Sequence, residues 1–128
     1  MVNRRRFCGN TKNLRIIDYG FFKGSAVATT VCDINGTVIY QNDVAMSVLG
    51  DGNAMGRNLK ECHKPETWNK IVEMLNNGTT NAYTIEKGDV KKLIYQTPWY
   101  DSSGKVAGLI EYSIVLPNNM PHFVRPVK

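Results

Sequence analysis

Within the twenty residues from Val31 to Gly50, VCDINGTVIYQNDVAMSVLG, the chain commits to strand, tight turn, strand and capped helix. The turn is Asp33-Ile34-Asn35-Gly36. Asn and Gly accept positive φ at little steric cost, so Asn-Gly between apolar runs is a strong hairpin signal. Thr37 to Tyr40 is β-branched and aromatic, which suits a pleated strand beside the one at 25–32. Asn42 stands just before an apolar-periodic run, where its side chain can accept a free N–H of a first helical turn. Gly50 is placed to close that short helix from the C′ position.

The rest of the chain continues in the same sense. Asn58 and Glu61 have the spacing of a capping box, which predicts a helical turn over Leu59 to Cys62. Pro65 opens a second helix at its first position, where a missing N–H costs nothing. Trp68, Ile71, Val72 and Leu75 follow at i, i+3, i+4 and i+7 as one apolar stripe, and Asn77-Gly78 ends the helix. Three strands are expected next: Thr80 to Glu86, Val90 to Thr97, and Lys105 to Leu116, the last stopped by Pro117. Two strands, a helical middle and three strands define an α+β domain. Its expected form is a five-stranded antiparallel sheet with helices packed on one face and the C-terminal strand central.

Charge narrows the function. The net charge of +5 is carried by the ends: residues 1–24 contribute +5, residues 117–128 contribute +2, and residues 25–116 contribute −2. A basic face on the folded part, the footprint of a nucleic-acid binder, is therefore not expected, and Arg4-Arg5-Arg6 reads as a solvated arm. Binding of nucleic acid through that arm is the alternative. No apolar run approaches the roughly 20 residues needed to span a bilayer, and no apolar segment follows the N-terminal charges as in a signal peptide. Cys8, Cys32 and Cys62 are odd in number and widely spaced, which predicts reduced thiols in a cytoplasmic protein. The expected organisation is an arm with a short amphipathic helix at 1–24, a domain at 25–116 and a tail at 117–128.

The order strand, D-x-N-G turn, Y-x-N helix start and Leu49-Gly50 resembles the opening of a PAS domain. Gly56-Arg57 and the closing D-x-x-G-x-x-x-G of Asp101, Gly104 and Gly108 extend the resemblance over about residues 25–116. GRNLKECHKP, Gly56 to Pro65, is similar to a bacterial PAS subgroup with a Cys-His-x-Pro segment. The resemblance implies a sensory module that binds a small ligand or a signalling partner and dimerises. The usual D-I-T ending is replaced by Val115-Leu116-Pro117, so output is expected to pass through a partner chain. Some PAS domains hold haem through a helical His, and His63 is the candidate here, making a haem-based gas or redox sensor the second reading. The N-C-R-F-L-Q motif of flavin photosensors is missing, so flavin is not expected.

Catalysis is not expected. His63 and His122 belong to no HxxxH or HExxH pattern, and neither Gly-rich phosphate loop is present. Matching the last strand to the family places Leu109, Glu111 and Ser113 toward the ligand pocket. Val31, Tyr40, Trp68, Ile71, Tyr83, Tyr95, Glu111 and Ser113 are the expected pocket residues. A carboxylate at 111 needs a partner or a raised pKa there. The alternate set on that strand, Ile110, Tyr112 and Ile114, would form an outer apolar face, the alternative being a swap of faces with this set in the domain's own core. Ile16, Ile17, Tyr19 and Phe22 of the N-terminal segment, or a second subunit, would cover it in a homodimer.

Overall fold

A computed structural model describes residues 20–48 and 53–128. A helical turn α1 (Gly20–Lys23) precedes β1 (Ala28–Asp33), β2 (Val38–Gln41) and α2 (Asp43–Val48). Then come α3 (Leu59–Cys62), α4 (Pro65–Asn77), β3 (Asn81–Lys87), β4 (Val90–Tyr100) and β5 (Val106–Leu116). The five strands form one antiparallel sheet in the order β2-β1-β5-β4-β3, with the C-terminal strand central as the pattern predicts. β4 runs three residues beyond its expected end, through Pro98 to Tyr100.

The local signals resolve into bonds. At the hairpin, the Asp33 carboxylate accepts the N–H groups of Asn35 (2.9 Å) and Thr37 (3.0 Å), and Gly36 takes φ 83°. The Trp68 ring lies against Gly36, where a Cβ would sit 2.7 Å from it. Asn58 and Glu61 form the capping box of α3. Pro65 is in the first turn of α4, and Gly78 ends that helix in the left-handed region with its N–H on the Met74 carbonyl. Asp101 anchors the β4–β5 turn, and the Ser103 hydroxyl above all, with the Lys105 and Ser103 N–H groups, holds its carboxyl below the usual range.

Asn42 caps α2 and does much more. Its Oδ1 accepts from Ala45 N (3.1 Å) and Thr29 N (3.0 Å). Its Nδ2 donates to the carbonyls of Phe22, Ser25 and Val27. The side chain is completely buried. One amide thus ties the end of α1, β1 and the start of α2 together. Lys23 and Asp43 add an exposed ion pair at 2.6 Å between the same two helices.

The core lies between the sheet and α4: Cys32, Ile71, Met74, Leu75 and Leu109, with Leu59 and Trp68 packed against it. The buried stripe of α4 is shifted from the one expected, because Met74 is buried while Val72 is only half-buried. Each such side chain contributes roughly 1.5–3 kcal/mol when fully buried. The segment before α3 is laced to β2: Val38 N donates to Arg57 O, Gly56 N to Val38 O, and Leu59 N to Gly36 O. That lacing holds α3 beside the sheet. Residues 117–128 carry no helix or strand, and Phe123, Val124 and Val127 are exposed. Of the expected N-terminal helix, Leu14 to Tyr19 lie outside the described residues, as does Gly50.

Candidate functional site

Successive side chains of a strand point to opposite faces. On β5, Leu109 and Glu111 face the helices, and Ile110, Tyr112 and Ile114 face the other way. Between the helices and the sheet is a cavity of about 380 Å³, within the usual range for small-molecule sites. Leu59, Cys62, His63 and Ile71 line it from the helical side, with Arg57 and Ala54 from the segment before α3. Cys32, Val38 and Leu109 make its apolar sheet wall.

The polar part of that wall is a single rung of the sheet. Gln41 pairs with Thr30, Thr30 with Glu111, Glu111 with Gln96, and Gln96 with Asn81. Gln96 Nε2 donates to Glu111 Oε2 at 2.7 Å, and Asn81 Nδ2 donates to Gln96 Oε1 at 3.0 Å. Gln41 Nε2 reaches Thr30 Oγ1 at 3.4 Å, while its Oε1 accepts from Ala54 N at 2.8 Å. Glu111 therefore has the partner that a carboxylate at this position requires.

Of the expected pocket residues, Ile71 and Glu111 line the cavity. Ser113 and Tyr83 occupy the same sheet face one rung further on, joined through Ile94, and Tyr83 is 45% exposed. Burial first, and then the charge of Glu111, push the Tyr83 phenol up from its ordinary pKa. Trp68 packs on the β1–β2 turn and the core and does not line the cavity. Val31, Tyr40 and Tyr95 require correction: they lie on the opposite face. Val31 pairs with both Tyr40 and Ile110, and Tyr95 pairs with Tyr112, so the register carries all three to the outer side. Residues missed in the sequence are Thr30, Cys32, Val38, Gln41, Ala54, Arg57, Leu59, Cys62 and Gln96. Gln96 is the lone side-chain amide of β4. Burial pushes the Cys32 thiol up from its usual pKa, which fits a wall residue and not an activated nucleophile.

His63 follows the last residue of α3 with its Nδ1 2.8 Å from the Leu59 carbonyl. A carbonyl only accepts, so Nδ1 carries the hydrogen and Nε2 is the nitrogen left for a ligand. Across the sheet, Phe22, Val27, Val31, Tyr40, Ile110, Tyr112 and Ile114 line an open groove of about 1060 Å³. Ile16, Ile17 and Tyr19, expected to cover this face with Phe22, lie outside the described residues, as does the Arg4-Arg5-Arg6 arm.

A central C-terminal strand in a five-stranded antiparallel sheet, with helices such as α3 and α4 over one face, defines the PAS fold, and this chain has it. It is similar to a PAS domain from Colwellia psychrerythraea (15% identity, 84% of this chain and 98% of that one, TM-score 0.57). It is also similar to the Vibrio cholerae Aer2 receptor, a PAS-heme oxygen sensor (13% identity, 75% and 99%, TM-score 0.53). Vibrio cholerae VqmA, a dimeric LuxR-type receptor with a target DNA, aligns at 20% identity and TM-score 0.61. That match takes in 78% of this chain and 52% of VqmA, so the chain spans about half the length of that receptor. VqmA has also been solved bound to DPO. No protein-family model and no curated protein matches the sequence. No described helix is long and apolar enough to cross a membrane.

Proposed function

We propose that this chain is a PAS-type sensory module that binds a small polar ligand in the cavity between sheet and helices and reports occupancy to a protein partner. The observation that carries this reading is the polar rung set into an otherwise apolar cavity wall. Polar groups kept under helices are costly unless something satisfies them, and a small ligand with matched donors and acceptors does so. The same rung argues against haem through His63. A large apolar plate laid on Thr30, Gln41, Gln96 and Glu111 would strip them of water without offering partners, so this wall does not suit a macrocycle. Binding, not catalysis, is the activity proposed.

Native mass spectrometry of protein purified from its own host should show a bound small-molecule mass. Re-adding that molecule at about 100 times its Kd should stabilise the fold by about 2.7 kcal/mol. A Soret band in the purified protein would instead establish the haem reading. A ligand-free protein that no fraction of host extract stabilises would overturn the proposal.

The outer groove supports a homodimer as the route of output, with Phe22, Ile110, Tyr112 and Ile114 at its centre. A two-fold axis is the commonest symmetry for such contacts. Tyr112→Glu should weaken self-association at least about tenfold while leaving thermal unfolding cooperative, because it sets a charge on a surface that must become dry. Sedimentation of wild type as a monomer at tens of micromolar, or outright unfolding of the variant, would show that the face serves the domain alone.

A further inference from the structure

The hydrogen bonds along the polar rung have a direction. Asn81 gives a hydrogen to Gln96, and Gln96 gives one to Glu111 Oε2. With its oxygen engaged by Asn81, the Gln96 amide is held in the orientation that points its N–H at the carboxylate. On the other side, Gln41 donates to Thr30 and spends its own oxygen on Ala54 N. The second carboxylate oxygen, Glu111 Oε1, has no hydrogen-bond partner among the described residues, and Glu111 makes no ion pair with any of them. Glu111 nevertheless lines the cavity. The rung therefore presents an aimed, negatively charged acceptor to whatever enters.

We propose that the cavity selects a cationic, N–H-bearing ligand, an ammonium, an amidinium or a protonated nitrogen heterocycle, whose N–H binds Glu111 Oε1. The proposal rests on the reading of this cavity as a ligand site. A charge-assisted hydrogen bond to an already oriented carboxylate is stronger than a neutral one, and the Gln96 bond spares the ligand the cost of ordering it. Neutral ligands of the same shape gain less, and an anion placed at the Glu111 end of the cavity, as distinct from the Arg57 side, is repelled.

Benzamidinium, benzamide and benzoate share one ring and nearly one size but differ in charge. Titrating each into the full chain, with amide chemical shifts as the readout, separates charge from shape. Benzamidinium should shift the amides of Cys32, Gln96 and Leu109 saturably, with a Kd about tenfold below that of benzamide. Glu111→Gln should remove that advantage, bringing the Kd of benzamidinium to within about twofold of that of benzamide. If Glu111→Gln does not fold, the ranking of the three probes on wild type decides by itself. Benzamide or benzoate binding at these residues as tightly as benzamidinium would overturn the ligand class while upholding the cavity as a ligand site. Benzamidinium shifts confined to residues outside the cavity would also overturn the class. Three probes that leave every cavity amide unmoved would overturn both.

Discussion

Replacing Gly108 by alanine is expected to cost the domain at least about 4 kcal/mol, enough to leave much of it unfolded given the 5–15 kcal/mol typical of whole domains. A Cβ at position 108 would sit 1.9 Å from the Cys32 carbonyl oxygen and 2.5 Å from Trp99 Nε1. The first neighbour is backbone of β1, so no side-chain rotation can relieve it. The second is the indole that crosses this position to donate to the same carbonyl at 3.0 Å. β5 can accept the methyl only by moving off β1, which breaks the ladder and orphans the Trp99 N–H together. Urea unfolding followed by circular dichroism gives the value. Trp99→Phe, which loses one hydrogen bond and keeps the glycine, should cost only about 1 kcal/mol. If adding Trp99→Ala to Gly108→Ala restores stability, the indole and not the backbone is the obstacle, and the argument fails.

Asn42→Asp is expected to cost about 3–5 kcal/mol, although it removes no atom of bulk. Asp would still accept from Ala45 N and Thr29 N through one oxygen. Its other oxygen would face the carbonyls of Phe22, Ser25 and Val27, three acceptors with no hydrogen to share, in a place without water access. Asp is ordinarily as good an N-cap as Asn. A loss below about 0.5 kcal/mol, within the range of surface changes, would mean that capping is the whole role of Asn42. Hydrogen exchange should show the loss concentrated in residues 22–27, whose carbonyls the amide holds.

The fold was legible because its punctuation is local. Asn35-Gly36, the Asn58–Glu61 box, Pro65 and Gly78 each specify a turn or a helix end within a few residues. The site was less legible because it depends on which residues of distant strands share a rung. Glu111 was found by matching the alternation of one strand to the PAS resemblance, but its neighbours Thr30 and Gln96 come from register with β1 and β4, which no local pattern states. Val31, Tyr40 and Tyr95 were misplaced for the same cause: aromatic and β-branched residues suit either face, and only their pairing with Ile110 and Tyr112 decides. Gln41 was hidden further, because β2 does not keep strict alternation.

That irregularity has its own consequence for how the chain tolerates change in length. Val38 pairs with Cys32 and Tyr40 with Val31, which leaves Ile39 without a partner and half exposed. A residue lost from the middle of a strand normally inverts every side chain beyond it. Here the surplus residue is already outside the count: Val38 faces in, Tyr40 out and Gln41 in, with or without it. Position 39 is thus the one point in β2 where the reading frame of the sheet is indifferent to a single-residue deletion, and the cavity wall on either side of it is not.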